Sequence, residues 1–130
     1  AERLIRDCLT YAMDRKQFGK PIAEFQLVQA MLADCETEVY AAKSMVLDAA
    51  RRKDAGENIT KQAAMCKYYC SEMVGRVADR AVQIHGGAGY IADYGIERFY
   101  RDVRLYRLYE GTSQIQQLII AREMLKESVQ

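Results

Sequence analysis

The sequence predicts an all-α protein built as an up-and-down helical bundle, and three observations carry that expectation. Ala, Leu, Met, Glu, Lys, Arg and Gln, all good helix formers, dominate the chain. It holds one proline and no Asn-Gly or Pro-Gly pair of the kind that marks a hairpin. Apolar residues recur three and four apart over long stretches. With 130 residues, half of them hydrophobic, there is enough material for one compact core and too little for two full domains.

The first helix is expected from Ala1 to about Lys16, because Leu4, Ile5, Cys8, Leu9, Ala12 and Met13 form an apolar stripe. It has no entry signal. Gly19 and Pro21 mark a connection, after which Phe25, Val28, Met31, Leu32, Cys35, Val39, Ala42, Met45, Val46 and Ala49 define a long amphipathic helix that ends at Gly56 and Asn58. Thr60 is the expected cap of a third helix, with Ala63, Cys66, Cys70, Met73, Val74, Val77, Ala81 and Ile84 facing inward, stopped by Gly86-Gly87. A shorter helix follows from Ile96 to about Leu105. The last runs from Thr112 to about Lys126 on Ile115, Leu118, Ile119 and Leu125, four-helix-bundle packing being the simplest way to bury these faces.

Charge narrows the function classes. Nineteen basic and eighteen acidic residues, spread along the chain, give a net charge of +1, so no footprint for nucleic acid or an anionic surface stands out. No apolar run approaches the roughly 20 residues of a membrane span. The four cysteines, with one histidine, lack the clustered ligands of a metal site and read as reduced, buried thiols, which suits bacterial cytoplasm or mitochondrial matrix. A start within a helix and without methionine leads us to expect a piece of something larger.

The most informative stretch is Leu108-Tyr109-Glu110-Gly111-Thr112-Ser113-Gln114-Ile115-Gln116. It sets one carboxylate on a glycine-flexed loop directly before a helix, and Ser113 with Gln116 has the spacing of a capping box. Alone, that pattern is equally a loop before a capped helix, where the dipole favours an acidic residue. Two further segments stand out: Arg15-Lys16-Gln17-Phe18-Gly19-Lys20-Pro21-Ile22 running on to Phe25-Gln26, and Gln83-Ile84-His85-Gly86-Gly87-Ala88-Gly89-Tyr90. Taken alone, Arg15 is a surface ion-pair partner, Phe18 a helix-turn anchor and the glycine pair a C-cap.

In this order and at these separations, together with Arg101-Asp102, the segments resemble the C-terminal helical domain of the acyl-CoA dehydrogenases over essentially the whole chain. The resemblance implies a single domain, residues 1–130, of a three-part enzyme whose helical N-terminal and middle β-domains are missing, so the isolated piece is expected to be inactive. It implies FAD as cofactor and α,β-dehydrogenation of an acyl-CoA thioester to the trans-2-enoyl-CoA. Glu110 matches the base that removes the α-proton while the β-hydrogen leaves as hydride to the flavin. Its backbone N–H also matches a donor to the thioester carbonyl, with Gly111 beside the substrate. Arg15, Phe18, Gln26, Gln83, Gly86, Gly87, Thr112 and Gln114 match cofactor contacts, Arg15 reaching the pyrophosphate, and Arg122 matches a residue near the acyl-CoA. His85 receives no role.

The same resemblance implies a homodimer or homotetramer in which one subunit supplies the base and its neighbour the Arg15 and Gln83 contacts, with an electron-transfer flavoprotein as redox partner. Acyl-CoA oxidases share the motifs. A catalytically silent, FAD-binding oligomerisation module of the same fold is the reading from a different class. Glutamate at 110 argues against nitroalkane oxidases, which carry aspartate there, and against members whose base lies upstream.

Overall fold

In the computed structural model, which describes residues 1–129, five helices pack around one central helix; residue 130, the last position of the expected domain, lies outside the described residues. Helix α1 (Glu2–Asp14) buries Leu4, Ile5, Cys8 and Ala12, while Leu9 and Met13 of the predicted stripe stay largely exposed. It ends two residues earlier than its periodicity implies. The chain turns extended at Arg15 and forms a small antiparallel ribbon, β1 (Lys16–Gln17) against β2 (Lys20–Pro21), with Phe18 at φ 52° and Gly19 at φ 82° between them. Two positive φ values in a two-residue loop make the tight hairpin turn whose twist matches paired strands. Asn-Gly normally signals it; phenylalanine does not, so the sequence hid this ribbon.

A 3-10 turn at Ile22–Glu24 leads into α2 (Gln26–Asp54). Its last turn carries Arg51, Arg52 and Lys53, which suit the negative end of the helix dipole. Gly56, at φ 81°, closes it: its N–H bonds the Lys53 carbonyl and the Glu57 N–H the Arg52 carbonyl, the paired arrangement that satisfies a helix C-terminus. Helix α3 (Thr60–His85) has Ile59, not Thr60, at its N-cap position, and Asn58 just outside accepts at its Oδ1 from the Thr60 N–H at 3.0 Å and hydroxyl at 2.7 Å. The inward face of α3 begins at Ala64 rather than Ala63 and includes Ser71, with Cys66 and Cys70 only partly covered.

Then come α4 (Gly87–Tyr90), α5 (Ile96–Arg104), a 3-10 turn at Leu105–Arg107, and α6 (Ser113–Glu127). Glu38 on α2 bonds Arg76 and Arg80 on α3, and Asp34 pairs with Arg80, so the two helices are antiparallel. Ser113 with Glu72 and Glu127 with Lys61 set α6 antiparallel to α3 as well. The Tyr11–His85 stack lies near the C-terminal ends of α1 and α3 while Ala1 shares a groove with Cys70 and Met73, making those two parallel. Up, down, up, down is the resulting order.

The core gathers Leu4, Cys8, Cys35, Val39, Met73, Val77, Ala81, Ile84, Ile96 and Val103 around α3. Helix α6 departs from expectation. Its Ile115, Leu118 and Leu125 are largely exposed, and it meets α3 through buried Ser113 and Gln116 instead. All four cysteines are free; burial pushes the Cys8 thiol up to about 12 and raises the other three, which leaves them poor nucleophiles near neutral pH. Among the described residues no helix is long and apolar enough to cross a membrane.

Candidate active site

Glu110 and Phe18 are the only non-glycine residues among those described with positive φ, at 53° and 52°. Such backbone costs about 1–3 kcal/mol and persists only where surrounding contacts fix it, a pattern concentrated at functional sites. At Glu110 those contacts can be named. The Gln116 side-chain amide donates to the Glu110 carbonyl at 3.2 Å, and the Lys67 ammonium donates to the Gly111 carbonyl at 2.6 Å. Gly111 itself sits at φ 84°, a conformation that favours glycine, and a Cβ there would stand 2.8 Å from Gln116 Nε2 and push that side chain aside.

Both flanks of the loop are held by one carboxylate. Glu72 on α3 accepts from Arg107 Nη1 at 3.2 Å and from the Ser113 hydroxyl at 2.6 Å, gripping the chain before and after Glu110. Arg107 reaches it because Gly75 leaves space; a Cβ on Gly75 would lie 2.9 Å from Arg107 Nη2. The predicted capping box is corrected by this network. Thr112 is the N-cap of α6, its hydroxyl oxygen accepting from the Ile115 N–H at 3.3 Å, while Ser113 and Gln116 are drawn into contacts with α3 and the loop.

The Glu110 side chain is exposed and lines a groove of about 430 Å³ with Lys67, Cys70, Met73, Val74 and Tyr109, walls that are mostly apolar. Tyr106 and Tyr109 stack beside it with ring centroids 5.8 Å apart. An acidic group at the rim of an apolar groove can exchange a proton with a carbon acid laid in that groove once water is excluded. Thr112 and Gln114, on the first turn of α6, share this end of the site and present free helix N–H groups.

The other predicted residues form a second cluster. Arg15, exposed at the end of α1, lines a groove with Asp7, Tyr11, His85 and Tyr94. Phe18, 93% exposed at the ribbon tip, meets the Phe25 ring edge-on with centroids 6.1 Å apart and is not a buried anchor of the turn. Gln26 and Gln83 are exposed, and Gly86 has φ 59° and ψ −135°, a conformation open only to glycine, with no atom within 4 Å of where a Cβ would sit. Gly86 and Gly87 therefore present bare backbone outward. Gly89 is different: its Cβ would meet the Val82 carbonyl oxygen at 2.7 Å. Gly89→Ala is expected to lower stability by about 1–3 kcal/mol, read as a fall in Tm, whereas Gly87→Ala, with open space, costs less.

His85 is a core residue. It stacks on Tyr11 at 4.3 Å and its Nδ1 lies 2.8 Å from the Ala81 carbonyl. Arg122 stands apart from Glu110, paired with Glu123 at 3.3 Å over the groove of Leu118, Leu125 and Val129. Sequence reasoning missed Lys67, Glu72 and Arg107. One signal was available: Lys67 falls in register with Ser71, Val74 and Ala78 on the buried stripe of α3, where a lysine demands a partner.

Glu110 and the Arg15–Gly86 cluster are far apart in one chain. Glu110 sits level with Lys67 and Ser71, and from there to His85 α3 runs for about 20 Å.

Comparison with known proteins adds four findings. The family model described as "Acyl-CoA dehydrogenase, C-terminal domain" matches residues 1–125. The chain is 49% identical over 126 residues to a 3-(aryl)acrylate reductase of Clostridium sporogenes, covering 97% of this chain and 33% of that protein. It is 48% identical over 127 residues to a caffeyl-CoA reductase-Etf complex subunit of Acetobacterium woodii, covering 98% and 34%. Among solved structures, butyryl-CoA dehydrogenase from Megasphaera elsdenii superposes with a TM-score of 0.92 at 37% identity over 95% of this chain and 32% of its own. The chain thus spans about a third of the length of these relatives.

Proposed function

The chain belongs to the acyl-CoA dehydrogenase family, and from that premise we propose that it is the C-terminal helical domain of a larger FAD-dependent enzyme acting on acyl-CoA thioesters, with Glu110 moving the α-proton. The observation that carries this reading is the backbone of Glu110: a left-handed glutamate, clamped through its own and the next carbonyl, at the rim of an apolar groove. Glu110 takes the proton from the carbon next to the thioester carbonyl. Its N–H, fixed by the same clamps, donates to that carbonyl and stabilises the charge that builds there.

The residues present fit FAD. Gly86 and Gly87 offer unobstructed backbone, the α6 N-terminus offers unpaired N–H groups beside Thr112 and Gln114, and Phe18 holds an aromatic face in solvent at the cost of a strained φ. Arg15 would pair with the pyrophosphate, Phe18, Gln26 and Gln83 would border the cofactor, and Gly111 would adjoin the acyl-CoA. When bound, FAD accepts the β-hydrogen as hydride. The separation of Glu110 from the Arg15–Gly86 end supports a homodimer or homotetramer in which each site takes Glu110 from one copy and Arg15 from another. Exposed Leu118 and Leu125 of α6, with Val129 just beyond its end, form an apolar face beside Arg122 suited to such association. An electron-transfer flavoprotein partner is supported by the Etf complex named for one relative.

Two relatives are named as reductases, which favours a second direction of the same chemistry. Run backwards, protonated Glu110 returns the α-proton to an enoyl thioester, and the same side chain serves. These bacterial relatives also favour bacterial cytoplasm over the mitochondrial matrix as the location.

The test is an anaerobic titration of the complete flavoprotein with acyl-CoAs of graded length. Bleaching of the oxidised flavin band supports the reading; no bleaching at any length sinks it. Arg15→Ala is expected to weaken FAD binding about 10–100-fold, the loss of a charge-assisted contact, read by equilibrium dialysis against FAD.

A further inference from the structure

The lysine on the buried stripe of α3 does more than fill space. Resting on Glu110 as the proton-transfer group, we infer that Lys67 is a positioning residue for the reaction: its ammonium, bonded to the Gly111 carbonyl, holds Glu110 in its left-handed, substrate-facing conformation. The contact is 2.6 Å, crosses from α3 to the loop, and is partly buried. Among the described residues no carboxylate lies within ion-pair distance of Lys67, whereas thirteen such pairs occupy other charged side chains. A lysine placed half-buried without a counter-ion and aimed at a strained loop spends its charge on that loop's geometry.

The clamps divide the work. Glu72 fixes the chain at Arg107 and Ser113, outside the strained residue. Gln116 fixes the peptide after Glu110 through a neutral bond of 3.2 Å and reaches Gly111 only at 3.5 Å. Lys67 alone supplies a short, charged bond to the Gly111 carbonyl, and so orients the peptide joining Gly111 to the cap residue Thr112. Without it, φ at Glu110 can relax out of the left-handed region, and the carboxylate and the N–H move together. A displacement of about 1 Å at a reacting group can cost 100-fold in rate.

The experiment compares Lys67→Met, Lys67→Gln and Lys67→Arg in the complete flavoprotein, alone and combined with Glu110→Gln. Lys67→Met is expected to lower kcat about 10–100-fold while KM for acyl-CoA stays within about threefold and FAD content and Tm match the parent. Lys67→Arg, which keeps a charged donor of similar reach, recovers most of the rate. In the Glu110→Gln background Lys67→Met adds less than about a twofold loss, because the two act as a unit. Should Lys67→Met lose FAD, the Arg and Gln variants carry the same comparison, the first active and the second impaired. The inference is overturned if Lys67→Met and Lys67→Gln keep kcat within about twofold, if arginine fails to restore it, or if the loss is as large with Glu110 already replaced. Normal turnover by Glu110→Gln alone would instead remove the function proposed above.

Discussion

Glu110→Gln in the complete flavoprotein is expected to reduce the rate of flavin reduction by acyl-CoA about 10²–10⁴-fold, the usual contribution of a positioned general base, with FAD content unchanged. Glutamine keeps the shape and the backbone N–H, so the clamps from Gln116 and Lys67, which act on main-chain carbonyls, survive. Only the proton acceptor is lost. Rapid-mixing kinetics separate this from a binding defect: the limiting rate drops while the substrate concentration at half-saturation moves little. A variant with near-normal turnover would place the base on another residue.

Leu4→Ala should be the most damaging single change to the fold. Leu4 is 1% exposed and is, with Val77, among the largest side chains fully enclosed, at the junction of α1 with α3. Removing three carbons there costs about 2–5 kcal/mol, the range set by how far the cavity can collapse. Thermal unfolding followed by circular dichroism would register a drop in Tm of several degrees or more. Because Arg15 directly follows the last residue of α1, loosening that helix should also weaken FAD retention, coupling a core defect to the cofactor end of the bundle.

Much of the architecture was legible because long helices repeat their signal. Positions 60–85 and 96–104 fell where the three-and-four spacing put them, since each such helix covers its partner with a continuous stripe. The ribbon at 16–21 was not, because its turn is made by Phe18 in a conformation that phenylalanine rarely adopts and that no propensity reports. Helix α6 was placed correctly but faced wrongly. Its stripe of Ile115, Leu118 and Leu125 looked like core, yet the side toward α3 carries Ser113 and Gln116. Hydrophobic period alone cannot distinguish a face that meets its own chain from one left for another surface.

The candidate site divides the same way. Glu110 and Gly111 announced themselves as carboxylate and hinge side by side, whereas the cap was read one residue late, at Ser113 instead of Thr112. What holds them did not: Lys67, Glu72 and Arg107 lie 35 to 44 positions from their partners, and hydrogen bonds across such separations leave no local pattern. The strain at Glu110 is equally silent in the sequence, being a consequence of those distant contacts. Glycine at 89, required by the Val82 carbonyl, and glycine at 75, which leaves room for the Arg107 guanidinium, likewise become intelligible only once helices are packed.

The central claim is that one carboxylate removes a proton from the carbon beside the thioester, and exchange of that proton with solvent tests it without requiring turnover. An acyl-CoA analogue with sulfur in place of the β-carbon has an acidic α-position and no hydrogen to lose as hydride. Incubated in D2O with the complete flavoprotein, it should take up deuterium at the α-carbon with the parent enzyme and, at least about 100-fold more slowly, with Glu110→Gln. Equal uptake by the two proteins would contradict the account.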